Sequence, residues 1–217
     1  MDTDFWHRKW QANEIGFHNK EVNPLLLAYF AELSLSPGSR IFVPLCGKTR
    51  DIAWLLSQGC RVAGAELSEL AVEQLFAELG VQPAIAGAGG VKHYSAPDLD
   101  IFVGDIFKLT GEVLGPIDAV FDRAALVALP EEMRVRYAGH ITAITRNAPQ
   151  LLLTFEYDQA AMAGPPFSIS DDEVERHYQD SYQIAALASV DVAGGLKGKC
   201  VATENVWLLK RSEDQSP

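Results

Sequence analysis

The stretch IFVPLCGKTRDIAWLLSQG, Ile41 to Gly59, joins a short apolar run to apolar residues at helical spacing through a turn of a few residues. This is the pattern of a buried strand feeding a helix. Its Gly47-Lys48-Thr49 ends like a nucleotide phosphate loop, G-x-x-x-x-G-K-[ST], in which the first glycine lets backbone N–H groups converge on phosphate. Here that first position is Phe42, inside the apolar run, so the loop is not a Walker loop. The dinucleotide fingerprint G-x-G-x-x-G is missing too, because Gly47 is the only glycine in the turn.

Beyond this stretch, short apolar runs alternate with helical patterns, the signature of a mostly parallel sheet covered by helices on both faces. Strands are expected at Arg40–Pro44, Arg61–Glu66, Leu99–Val103, Ala119–Asp122, Gln150–Tyr157, Tyr182–Val190 and Asn205–Lys210. Helices are expected at Arg50–Gln58, Ser68–Leu79, Pro130–Ala148 and Ser170–Tyr178, with Ser68 and Ser170 as N-caps. Gly80–Pro97 reads as a long connection that forms a hairpin or stays loose, with no chemistry assigned to it. Phe5 to Leu33 lies outside the strand–helix alternation and reads as a helical arm that can fold over the sheet's carboxyl edge as a lid.

The chain of 217 residues, 48% hydrophobic, suits one domain: an arm over 1–35, a core over 36–211 and a loose tail over 212–217. A net charge of -11, with 18 Lys and Arg scattered along the chain, offers no footprint for nucleic acid or an anionic membrane. Three cysteines without a C-x-x-C argue against a disulfide framework or a zinc site, so no metal is expected and a reducing cytoplasm fits. No apolar run reaches the roughly 18 residues of a membrane span, and no exposed apolar stripe demands a partner, which leaves a monomer as the expected state.

In an open α/β sheet, ligands bind outside the carboxyl ends of the strands, so the turn Pro44 to Thr49 is the first place to look for function. A nucleoside without a phosphate chain needs less room than a dinucleotide, and S-adenosyl-L-methionine is such a ligand; Gly47 alone could let the backbone approach it. An acidic residue about twenty positions further on, at the end of the second strand, is where such folds hold ribose hydroxyls. Glu66 stands there. Asp105, after the third strand, either accepts an adenine amino proton or caps a helix. Arg123, after the fourth strand, either faces the cleft or pairs with Asp122 or another acid. Cys46 lacks a neighbouring histidine that would make it a nucleophile.

These segments carry a resemblance. FVPLCGK (42–48), GAELSELAVEQ (64–74), DIF (105–107), FDRAALVAL (121–129), GPPF (164–167) and EIGFH (14–18) together strongly resemble the thiopurine S-methyltransferases in their bacterial form. The resemblance spans the chain from about Trp6 to Lys210. It implies a Rossmann-like class I methyltransferase fold, with a seven-stranded sheet whose last strand is antiparallel, and an N-terminal cover. It further implies S-adenosyl-L-methionine contacts at Trp10, Leu45, Glu66 and Arg123, with Asp105 and Ile106 near the adenine, and an acceptor pocket bordered by Phe17 and by Pro166 and Phe167 of the GPPF turn. The expected activity is in-line methyl transfer to sulfur, or to selenium or tellurium, in small aromatic or heterocyclic acceptors, driven by proximity and helped by the Arg123 cation. The competing expectation is a nucleotide-responsive binding module that uses the same crevice without turnover.

Overall fold

The computed structural model describes residues 3–15 and 19–212. The chain opens with helix α1 (Thr3–Gln11) and helix α2 (Pro24–Tyr29), the latter started by Asn23, whose side chain accepts the N–H groups of Leu25 and Leu26. Strand β1 (Arg40–Val43), α3 (Arg50–Ser57), β2 (Arg61–Glu66) and α4 (Glu69–Leu79) follow. Then come β3 (Ala84–Ala88), β4 (Val91–Ala96), β5 (Leu99–Val103), α5 (Gly111–Leu114), β6 (Ala119–Arg123) and α6 (Glu131–Ile144). The chain closes with β7 (Gln150–Tyr157), α7 (Asp171–Tyr178), β8 (Tyr182–Asp191) and β9 (Ala202–Arg211).

The nine strands among the described residues form one sheet in the order β3-β4-β5-β2-β1-β6-β7-β9-β8. The seven strands expected from the sequence make up its run from β5 to β8, parallel from β5 through β7, with β9 inserted antiparallel between β7 and β8. The two additional strands come from the long connection, which is a hairpin. Gly89 and Gly90, at φ +57 and +95, make the two-residue turn, and β4 pairs antiparallel with β5. Two positive-φ residues match the right-handed twist of the flanking strands, a geometry glycine adopts without a steric penalty. The hairpin escaped the period-two pattern because β3 is an outer strand exposed along most of its length.

Alternation along the central strands divides the core into two layers. Phe42, Ala63, Val120 and Leu152 pack under α6 and α7, while Val43, Val62, Phe121 and Leu153 pack under α2, α3 and α4. Both faces of these strands are buried, so they read as continuous apolar runs rather than alternating ones. A pair buried between the outer helices, Arg134 with Glu173, holds α6 to α7, and His177 adds a third member at 3.0 Å. Among the described residues no helix is long and apolar enough to cross a membrane.

The strand order reverses between β1 and β6, whose outgoing connections diverge to opposite faces. The crevice that opens there is the place where such sheets take ligands.

Candidate active site

The turn leaving β1 is bent by two left-handed residues, Leu45 at φ +45 and Gly47 at φ +53. For leucine that conformation is costly, on the order of 1–2 kcal/mol. It is held by the neighbouring strand, since the Cys46 N–H donates to the Ala65 carbonyl at 2.9 Å. Thr49 then starts α3 by accepting the Asp51 N–H. A Cβ on Gly47 would lie 3.0 Å from the indole edge of Trp10, so the α1 arm rests directly on this backbone. Trp10 is 4% exposed.

Lys48 borders the crevice, but its ammonium does not serve it as that of a phosphate-loop lysine would. Its ammonium pairs with Glu78 of α4 at 2.8 Å. Cys46 is buried, and desolvation, reinforced by the charge of Glu66, pushes its thiol well above the usual range, which makes it a packing residue rather than a nucleophile.

Glu66 closes β2. Its Oε2 accepts the Gly47 N–H at 2.8 Å and its Oε1 accepts the Ser68 N–H at 2.8 Å. Burial raises its pKa, and the backbone donors of Ser68, Gly47 and Leu67 pull it back down. A carboxylate offers about four acceptor positions, so these backbone donors leave capacity for a further donor from the cavity. The carboxylate forms part of a cavity of about 610 Å³, within the usual range for small-molecule sites.

The cavity is shaped by Phe5, Trp6 and Trp10 of α1, by Val43 and Leu45 to Thr49, by Phe121, Arg123 and Ala124 around the end of β6, and by Gly164 to Pro166. Arg123 lines it with no ion pair among the described residues. The preceding residue points the other way: Asp122 is fully buried on the α6 face, where it accepts the Tyr137 hydroxyl at 2.7 Å and the Leu126 N–H at 3.2 Å. The alternative in which Asp122 and Arg123 pair is excluded by strand alternation. Burial lifts the Asp122 pKa to about 6 against the pull of these donors.

Trp10, Leu45, Gly47, Glu66, Arg123 and Pro166 therefore meet in one cavity. Asp105 and Ile106 sit at the end of β5, outside its lining. Asp105 caps a single turn by accepting the Phe107 N–H at 3.1 Å, and Ile106 is a core residue whose carbonyl meets His140 Nε2 at 2.8 Å. The ring of Phe167 turns away, beside Gly164 and 5.8 Å from the Arg134 guanidinium. Phe17 lies outside the described residues.

Sequence reasoning missed Asp51, Phe155 and Glu204, which line the cavity together with Lys197. Lys197, from the β8–β9 connection, donates to the Pro165 carbonyl at 2.7 Å and bridges the rim. Glu204 stands just before the apolar run that marks β9, where nothing in the local pattern distinguishes it from a strand-end glutamate. Burial raises its pKa; the Arg123 charge and a hydrogen bond from the Asn23 side chain lower it, and Asp51 pushes it up again. No group of three or more His, Cys, Asp and Glu placed to hold a metal ion occurs among the described residues.

Comparison with known proteins adds the chemistry. The family model described as "Thiopurine S-methyltransferase (TPMT)" matches residues 1–212. A protein of Xanthobacter autotrophicus named thiopurine S-methyltransferase is 59% identical over 213 residues, covering 98% of this chain and 100% of its own length. One of the same name from Teredinibacter turnerae is 51% identical over 212 residues, covering 98% and 99%. Among solved structures, the Burkholderia thailandensis 1,6-didemethyltoxoflavin-N1-methyltransferase with bound S-adenosylhomocysteine aligns with a TM-score of 0.67 at 15% identity, over 97% of this chain and 87% of that one. Magnesium protoporphyrin IX methyltransferase from Synechocystis aligns with a TM-score of 0.62 at 13% identity, over 96% and 100%. At such identities the structural matches speak for the fold alone: the class I methyltransferase sheet.

Proposed function

On the premise that the chain belongs to the thiopurine S-methyltransferase family, with S-adenosyl-L-methionine-dependent methylation of thiopurine sulfur as its activity, we propose how this cavity performs it. Family membership also decides between turnover and mere binding in favour of turnover.

The observation that carries the assignment is Glu66. Its buried carboxylate is fixed by the Gly47 and Ser68 N–H groups and keeps acceptor capacity on the cavity side, which fits the vicinal diol of a nucleoside. The Gly47 backbone, approached by no side chain of its own, and the Trp10 indole against it border the amino-acid end of the donor. Leu45 supplies an apolar wall there. Asp105 and Ile106 lie one strand further along the same edge and would reach the adenine only at its far rim. When bound, the donor supplies a methyl group already activated by a sulfonium charge, so the protein contributes alignment and exclusion of water rather than a nucleophile.

Arg123 faces the acceptor side. Its guanidinium charge favours the anionic form of a thiol or thione, the better nucleophile. Pro166 borders the acceptor, and Phe167 supports that turn from behind. The α1 arm acts as a cover over residues 36–211, and the enzyme works as a monomer in the cytoplasm on small thiols, without nucleic acid or membrane.

The experiment is a thermal shift followed by turnover. S-adenosylhomocysteine at about 100 times its Kd should stabilise the fold by about 2.7 kcal/mol by mass action, and ATP should leave the Tm unchanged. Methylation of 6-mercaptopurine with labelled donor should then follow. Stabilisation by ATP alone would overturn the cofactor assignment and return Gly47-Lys48-Thr49 to a phosphate role.

A further inference from the structure

S-methylation removes one proton from the acceptor: the ring N–H of a thione or the S–H of a thiol is absent from the neutral product. We propose that Glu204 takes that proton.

Elimination within the cavity points to it. The carboxylates lining it among the described residues are Glu14, Asp51, Glu66 and Glu204, and no described histidine lines it. Glu14 is exposed and bound to Lys9 at 2.5 Å. Asp51 is occupied on both oxygens, by the Asn23 N–H at 2.8 Å and the Thr49 hydroxyl at 2.8 Å. Glu66 holds backbone donors, and its remaining capacity goes to the sugar. Glu204 has the Asn23 side-chain amide as its hydrogen-bond partner.

Sheet register places Glu204 correctly for the task. Arg123 pairs with Leu153 and Leu153 with Val206, so all three project from one face. Glu204, two residues before Val206, shares that face and stands opposite Phe155. The cavity floor therefore runs from the Arg123 guanidinium across the Phe155 ring to the Glu204 carboxylate. A flat heterocycle lying on Phe155 would present one edge to a cation and the other to a base. Burial lifts the carboxylate above its ordinary range even against the Arg123 charge, which moves a base toward the acidity it must match.

The step balances. The acceptor sulfur bonds to the methyl carbon as the carbon–sulfonium bond breaks, leaving its electron pair on the donor sulfur. The acceptor N–H or S–H bond breaks, its electrons stay on the acceptor, and the proton passes to a Glu204 oxygen and then to water. The inference rests on the cavity reading above.

The test uses the full chain and two acceptors: 6-mercaptopurine, which must lose a proton, and a nitro-substituted thiophenol, which is already ionised in neutral buffer. Glu204→Gln keeps the shape and the Asn23 contact but accepts no proton. It should lower kcat on mercaptopurine by about 100-fold or more, change the rate on the nitrothiophenol by less than about threefold, and leave the Kd for S-adenosylhomocysteine unchanged. Equal losses on both acceptors, or no loss on mercaptopurine, would overturn the proposal. Should Glu204→Gln fail to fold, Glu204→Asp decides: a loss confined to mercaptopurine supports the base, and a uniform loss refutes it. An error in cofactor placement would appear as a changed S-adenosylhomocysteine response in the wild-type chain, and an error in the proton assignment only as a changed pattern of rates.

Discussion

Gly47 carries three demands at one position: a positive φ, a backbone N–H aimed at Glu66, and the Trp10 ring at its α-carbon. Gly47→Ala should therefore cost about 1–2 kcal/mol of stability from the left-handed backbone, with a further penalty as the indole is pushed off the loop. Chemical denaturation measures the first effect and loss of S-adenosylhomocysteine affinity the second; an alanine variant with full stability and affinity would show that the arm does not rest on the loop. Lys48, next in line, illustrates how a tripeptide misleads. The Lys48 side chain belongs to Glu78, and the family resemblance of PLCGK rather than the GKT echo was the informative signal. Cys46 should remain unmodified by iodoacetamide at neutral pH in the native chain, as checked by peptide mass mapping, because burial keeps it a thiol.

The end of β6 shows what alternation does for a site. Asp122 and Arg123 are adjacent in sequence and face opposite layers, one a buried anchor for the Leu126 turn and Tyr137, the other a cavity cation. The Asp122 pKa, raised to about 6 from 3.8, means that its protonated form is favoured in the fold. Its stabilising contribution is complete below about pH 4 and is lost as the pH passes through about 6, on the order of 3 kcal/mol for a group so buried. Asp122→Asn removes that dependence. Measured by urea unfolding, the variant should gain on the wild type between pH 4.5 and pH 7.5; a constant difference across that range would show that Asp122 does not titrate there. The β3–β4 hairpin shows a complementary limit. Its turn glycines were visible, but an exposed outer strand buries too little to print an alternating pattern, so the connection could be read only as open between hairpin and loop.

Seen from the fold upward, the central strands were legible because both their faces are buried, which leaves unbroken apolar runs, and their mostly parallel pairing followed from the α/β alternation. Glu66 and Gly47 were legible because a strand-end acid and a strand-leaving glycine stand at positions where the sheet topology places ligands. Glu204 and Asp51 were not, because they reach the cavity through tertiary register: one through an antiparallel strand from the far end of the chain, the other through the Asn23 and Thr49 contacts. Asp105 has the capping contact that was one of its two sequence readings, while Ile106 and Phe167 have packing contacts that their motifs do not reveal.

The decisive measurement is an isothermal titration cycle pairing the wild-type chain and Glu66→Ala with S-adenosylhomocysteine and with its analogue lacking both ribose hydroxyls. Charge-assisted bonds to the diol predict that the wild type binds the natural ligand roughly 10- to 100-fold more tightly than the analogue, and that Glu66→Ala discriminates between them by less than about threefold. Equal discrimination by both proteins would show that the sugar lies elsewhere and that the cavity has been assigned the wrong way round.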